Sequence, residues 1–184
     1  MKIVVLDRDG VINRDSDDYI KSAEEFIPID GSISAIARLS MAGYKVVIAT
    51  NQSGLARKYF SEDQLSDIHH FLCSLVEGAG GIIEGIFYCP HHPDDNCSCR
   101  KPKTGLLEQI ENEFTCELRG YYFIGDSLKD IEAARAFDCK PILVRTGKGL
   151  ITEQYLSESN DVSVPTYDDL AKAVSHILGS QLND

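Results

Sequence analysis

Hydrophobic periodicity switches repeatedly along this chain, and that switching limits the folds open to it. Short apolar runs rich in β-branched residues at 2–6, 45–49, 85–88, 121–124 and 141–144 have the length of buried strands. Stretches with helical spacing lie between them. Residues 31–41 carry Ile33, Ile36, Ala37 and Leu39 on one face, and residues 61–77, 104–113 and 128–137 read the same way. Ser61 with Gln64 three residues later is a capping box, and Gly78, Gly80 and Gly81 stop the helix it opens. Thr104 is the expected cap of the next helix. Thr166 is the expected cap of a last one over 167–178, packed by Leu170, Ala173, Val174 and Ile177. Strands alternating with helices pair in parallel through right-handed crossovers. The expected fold is therefore α/β, a doubly wound parallel sheet. Residues 147–164 are polar and read as a surface excursion.

In such a sheet, ligands bind beyond the carboxyl ends of the strands. Asp7 and Asp9 follow the first strand, Thr50 the second, Cys89 and His91 the third, and Asp126 the fourth. Chemistry-bearing groups from four strand ends thus meet at one edge. A carboxylate there can act as a covalent nucleophile on a phosphate ester, forming an aspartyl-phosphate, and a second can supply the leaving group's proton. Oxygen ligands suit Mg²⁺. Asp130, one helical turn after Asp126, is a supporting candidate with a surface role as its alternative.

Between the third strand and Arg100 lie Cys89, His91, His92, Cys97 and Cys99. Three thiolates and one imidazole make a closed, structural Zn²⁺ site. A disulfide is the rival reading, but it fits poorly with a cytoplasmic chain and leaves the histidines unexplained. Cys73, Cys116 and Cys139 read as small core residues, and His69, His70 and His176 as structural or surface groups on helices. Arg100 and Lys101 follow the loop directly. A lysine suits the phosphoryl oxygens as a point charge, and Arg100 can grip a second anion of the substrate. Lys103 reads as a solvated helix-start charge.

The 184 residues favour a single domain spanning 1–184. The net charge of −11 disfavours nucleic acid as a partner. No apolar run is long enough to span a bilayer, so no membrane partner is expected. The first residues turn acidic too early for a signal peptide, and a cytoplasmic location is expected. Without a coiled-coil segment, a monomer is expected.

Taken together, Asp7-x-Asp9-Gly10 after a strand, Thr50 after Val47-Ile48-Ala49, Lys101 before Pro102, and Gly125-Asp126-x-x-x-Asp130 resemble the four motifs of the haloacid dehalogenase-like phosphatases. The resemblance implies a Rossmann-like sheet with no large cap domain. It implies Asp7 as nucleophile and Asp9 as general acid, then base. Thr50 and Lys101 would hold the phosphoryl group, and Asp7, the Asp9 carbonyl and Asp126 would hold Mg²⁺. Lys101 is chosen over Lys103, and His91 over His92, because they match the family pattern. The zinc loop, Asp7-Arg8-Asp9-Gly10-Val11-Ile12-Asn13 and Thr50-Asn51-Gln52-Ser53-Gly54 look like the heptose 1,7-bisphosphate phosphatases. That likeness implies removal of the 7-phosphate from a small phosphorylated sugar, feeding ADP-heptose synthesis for the lipopolysaccharide core. It also implies substrate contacts from Asp15, Ser16, Asp17, Asp18, Asn51, Gln52, Ser53 and Arg100. Histidinol-phosphate phosphatases share the same motifs and are the alternative. A catalytically inactive zinc-stabilised binding module is the alternative of another class.

Overall fold

The computed structural model describes residues 2–180. Six parallel strands form one sheet in the order β3-β2-β1-β4-β5-β6. They are β1 (Lys2–Leu6), β2 (Tyr44–Asn51), β3 (Ile83–Cys89), β4 (Tyr122–Gly125), β5 (Lys140–Val144) and β6 (Thr166–Tyr167). Six helices connect or follow them: α1 (Ser32–Met41), α2 (Glu62–Gly78), α3 (Gly105–Phe114), α4 (Leu128–Ala136), α5 (Gly149–Glu158) and α6 (Leu170–Ser180).

Both faces of the sheet are covered, and the period of two along each strand shows how. Val4 and Leu6 of β1, with Val46 and Ile48 of β2, pack under α1, α2 and α6. Ile3, Val5, Val47 and Ala49 point the other way, into a core shared with α3 and α4. Chain order reverses beside β1, with β2 on one flank and β4 on the other. That switch point opens a crevice at the strands' carboxyl ends. Leu6 pairs in register with both Ile48 and Ile124, so Asp7 emerges between Ala49 and Gly125. Among the described residues, the connection from β1 to α1 holds only a short 3-10 turn, Ala23–Glu25, and no separate cap.

The Ser61–Gln64 capping box is present, with both reciprocal hydrogen bonds formed. Three local expectations are corrected. Thr166 does not cap a helix: it belongs to β6, a sixth strand paired with β5, and Asp169 Oδ1 instead accepts the Lys172 N–H at 2.8 Å. A two-residue edge strand carries no periodic signal and is specified by its neighbour. Residues 147–164 are not all excursion, since α5 lies within them and buries Leu156 against Ile131 and Leu143. Thr104 precedes α3 but has near-helical φ and ψ, and its hydroxyl donates to Glu108 at 2.8 Å rather than capping the backbone. Of the three scattered cysteines, Cys139 is buried, whereas Cys73 and Cys116 are half-buried.

Candidate active site

The crevice beyond β1, β2 and β4 is a cavity of about 330 Å³ lined by Asp7, Asp9, Thr50, Lys101 and Asp126. Asp7 is the first residue past β1, and its N–H donates to Ile124 O at 2.9 Å. Lys101 is the hub. Its Nζ lies 2.9 Å from Asp7 Oδ1 and 2.6 Å from Asp130 Oδ1, and donates to Ala49 O at 2.7 Å. Asn51 holds the lysine's backbone from β2, accepting the Lys101 N–H and donating to its carbonyl, both at 3.1 Å. Asp130 is not a surface group. It is buried, and its other oxygen accepts from Ser127 N–H and Oγ at the start of α4.

One oxygen from each of Asp7, Asp126 and Asp130 lies within 4.8 Å of the others. Burial, and then the charge of Asp130, push Asp7 up to about 7. Burial, and then Asp7, push Asp126 up to about 8. Lys101 stays firmly protonated because Asp130 and Asp7 outweigh its burial. Lys101 is shared between Asp130 and Asp7, so one ammonium faces three carboxylates, and Asp7 and Asp126 are left short of positive charge. That hard-oxygen pair fits Mg²⁺. Gly10 and Gly147, both at positive φ, flank the Asp126 carboxylate so closely that a Cβ on either would strike Oδ2. The Lys148 N–H donates to the same oxygen at 2.7 Å.

Asp9 is held differently. Burial alone would raise its pKa, but Arg8, Asn13 and Gln52 together lower it. Arg8 Nη2 contacts both carboxylate oxygens at 3.0 Å. Asn13 Nδ2 donates to Oδ1 at 2.9 Å and Gln52 Nε2 to Oδ2 at 2.8 Å, with Gln52 also donating to Thr50 Oγ1 at 3.0 Å.

Among the residues expected at the substrate, Asp15, Ser16, Asp17, Asn51, Gln52, Ser53 and Arg100 line the cavity. Asp18 does not; it is exposed, and its carbonyl accepts from Lys21. The cavity also draws in Lys148, and with it Tyr19 and Lys129, two residues that sequence reasoning did not single out. Lys148 pairs with Asp15 at 3.1 Å. Burial, with Arg100 and Lys148 close by, presses Lys129 toward its neutral form. Arg100 Nη1 is buried without a hydrogen-bond partner among the described residues.

Cys89, His91, Cys97 and Cys99 converge on the far side of Arg100, with one ligand atom of each within 4.8 Å of the others. Their contacts run from 3.2 Å (Cys89–Cys99 and His91 Nδ1–Cys99) to 3.6 Å (Cys89–Cys97 and Cys97–Cys99). A zinc tetrahedron with bonds of about 2.3 Å has S–S edges of about 3.8 Å, so the four groups fit the ion after small relaxation. All six cysteines are free thiols, which removes the disulfide reading. Burial pushes Cys89 up to about 12, so that thiol needs a cation beside it to become thiolate, whereas at Cys97 the upward push of burial is outweighed, chiefly by the Arg100 N–H, and the thiol is held down to about 7. His92 faces away, accepting the Asp94 N–H at 3.3 Å within the turn Pro93–Asp95. Lys103 is not merely solvated: its Nζ stitches the loop through Asn96 O and Cys97 O, at 2.9 and 2.8 Å.

A family model described as HAD-hydrolase-like matches residues 98–173. The D-glycero-beta-D-manno-heptose-1,7-bisphosphate 7-phosphatase of Pseudomonas aeruginosa is 53% identical over 176 residues, covering 96% of this chain and 97% of its own. The enzyme of the same name from Bordetella bronchiseptica is 48% identical over 180 residues, covering 97% and 98%. A crystal structure of D,D-heptose 1,7-bisphosphate phosphatase from B. bronchiseptica, complexed with magnesium and phosphate, superposes with a TM-score of 0.92. It is 43% identical and covers 98% of this chain and 99% of its own. These likenesses extend over the strand ends, the zinc-type loop and nearly all the rest of the chain, so the chain belongs to the D-glycero-beta-D-manno-heptose-1,7-bisphosphate 7-phosphatases, phosphoric monoester hydrolases of the haloacid dehalogenase-like group.

Proposed function

We propose that this protein removes the 7-phosphate of D-glycero-D-manno-heptose 1,7-bisphosphate, giving heptose 1-phosphate for ADP-heptose synthesis. The observation that carries the chemistry is Lys101, whose ammonium joins Asp7 to the buried Asp130 at the open end of β1. Its charge favours the ionised form of Asp7, against burial and the charge of Asp130, at a position a phosphoryl group can reach from the cavity. Asp7 attacks phosphorus, the Asp7 O–P bond forms, and the bond to the sugar's O7 breaks. Asp9 gives its proton to that oxygen. Asp9 then takes a proton from water, whose oxygen attacks phosphorus, and Asp7 is released with inorganic phosphate. Thr50 and Lys101 hold the transferring group. Asp7, the main-chain carbonyl of Asp9 and Asp126 would hold Mg²⁺, which would neutralise charge on the phosphoryl oxygens.

The zinc loop is structural in this reading. Four protein ligands leave no open position, and the loop delivers Arg100 and Lys101 to the cavity. The unpartnered Arg100 Nη1, with Lys129 beside it, supports binding of the substrate's second phosphate at the cavity mouth. A steady-state comparison of the α and β anomers of heptose 1,7-bisphosphate with histidinol phosphate tests the assignment. A higher kcat/KM on a heptose bisphosphate, with heptose 1-phosphate as product, is expected. Faster turnover of histidinol phosphate overturns it.

A further inference from the structure

We infer that His69 is a positioning residue for the acid–base step, acting on Asp9 through Arg8. Neither His69 nor Arg8 lines the cavity. The inference rests on Asp9 as the proton carrier in the reading above.

Arg8 lies between the two aspartates of the nucleophile motif, and its residue is completely buried. A buried guanidinium needs a partner for each edge. Nε and Nη2 take Asp9, at 3.2 Å and 3.0 Å. Nη1 reaches His69 Nε2 at 3.2 Å. An arginine can only donate, so Nε2 must accept, and the ring carries its proton on Nδ1. Burial and the Arg8 charge both disfavour the imidazolium, holding His69 down to about 3. His69 is therefore a fixed neutral acceptor, anchored on α2 with its ring 5.8 Å from that of Tyr88 on β3.

The consequence lies at Asp9. Its Oδ1 receives Arg8 Nε, Arg8 Nη2 and Asn13 Nδ2, and its Oδ2 receives Arg8 Nη2 and Gln52 Nε2. To carry a proton, Asp9 must give up a donor. Oδ1 is the more heavily anchored oxygen, and Gln52 is a cavity-lining residue. With His69 pinning the guanidinium, the donor that yields is Gln52, and the proton sits on Oδ2, the oxygen that Gln52 holds. Without the His69 acceptor, Nη1 is a buried donor with nothing to bond. Arg8 then shifts and takes the Asp9 carboxyl with it.

The experiment compares His69→Phe, which removes the acceptor, with His69→Gln, which restores one. Asp9→Asn runs in parallel, all at saturating Mg²⁺. Each is assayed on heptose 1,7-bisphosphate, whose leaving alkoxide needs a proton, and on p-nitrophenyl phosphate, whose leaving group does not. His69→Phe is expected to lower kcat/KM on the sugar ester, which reports the step that expels the leaving group, by about tenfold, while kcat/KM on the aryl ester falls far less; kcat, which also contains the shared water attack, falls on both. His69→Gln is expected to recover most of the loss. If His69→Phe does not fold, His69→Asn, polar but too short to reach Arg8, takes its place with the same expectation. Equal losses of kcat/KM on both esters, or no loss in either variant, overturn the inference while a dead Asp9→Asn enzyme leaves the proposed function standing. Normal turnover by Asp9→Asn overturns both.

Discussion

Asp7, Asp126 and Asp130 stand on the ends of β1 and β4 and in the first turn of α4, so the sheet itself brings three carboxylates together. Cys89, His91, Cys97 and Cys99 are brought together by a loop whose core contribution is two cysteines and little else. In the first cluster the fold holds charges that repel, and one lysine offsets part of the repulsion. In the second, the four groups that could hold a metal are themselves the interior of the loop. One site spends stability on function and the other supplies stability so that function can be placed. The two should therefore respond oppositely to loss of a ligand.

The largest expected effect is at Asp7. Asp7→Asn should lower kcat by on the order of 10⁴-fold or more, the scale seen when a covalent nucleophile is lost. It should not lower the Tm of the metal-free protein, because a buried carboxylate crowded by Asp130 is replaced by a neutral amide of the same shape. Steady-state assay and thermal melting of one preparation measure both. Residual turnover near the wild-type level would remove Asp7 from the chemistry, and a large fall in Tm would deny that the cluster is held under repulsion.

Arg100 belongs to both regions, since the zinc loop carries it and the cavity receives it. Arg100→Ala should raise KM for the bisphosphate by roughly thirtyfold, the equivalent of about 2 kcal/mol for a charge-assisted contact. The effect on a sugar monophosphate should be much smaller. Equal losses on the two substrates would mean that Arg100 does not meet the second phosphate. Cys97→Ser tests the loop from its other end. Zinc content should fall below one ion per chain, Tm should drop by several degrees, and kcat should fall by about tenfold, less than for Asp7→Asn. The loss is indirect, because Lys101 keeps Asp7, Asp130 and Ala49 as partners when the loop loosens. Full zinc occupancy in the variant would show that the four-ligand site is misassigned.

What could be read from sequence follows the same division. Asp7, Thr50, Cys89 and Asp126 were legible because each sits immediately after or at the end of an apolar run, where local pattern and topology agree. The zinc-type ligands were legible because three cysteines and two histidines crowd one short segment. Arg8 was not, because between two aspartates it looks like a spacer. Its guanidinium meets His69, 61 residues away on another element. Asp130 was ambiguous for a similar reason: only the folded chain shows that its carboxylate meets Lys101 rather than water. Lys103 and Lys148 find their partners on loops with no periodic signal. β6 escaped because two residues are too few to show a period, and their strand state is imposed by β5.

The smallest effect expected is on pH dependence, and it falls within the physiological range at the carboxylate cluster. Asp7 at about 7 and Asp126 at about 8 both lie above the ordinary carboxylate range near 4, raised chiefly by burial. A raised folded-state pKa means the protonated carboxyl favours the native state. The stability this contributes is full below the unfolded value and is lost as pH rises through about 7 to 8. Magnesium-free protein should accordingly melt at lower temperature near pH 8.5 than near pH 6. Mg²⁺ binds only the ionised pair, so its stabilising shift should be larger at the higher pH. Zinc works in the same sense on the loop, where Cys89 must lose a proton from a thiol pushed up to about 12, and rising pH therefore tightens that site too. Thermal melts of zinc-loaded protein with and without Mg²⁺ at the two pH values resolve this. A magnesium shift that is the same at both would mean that Asp7 and Asp126 are already ionised without the metal, and that the sheet holds its carboxylates as comfortably as the loop holds its thiolates.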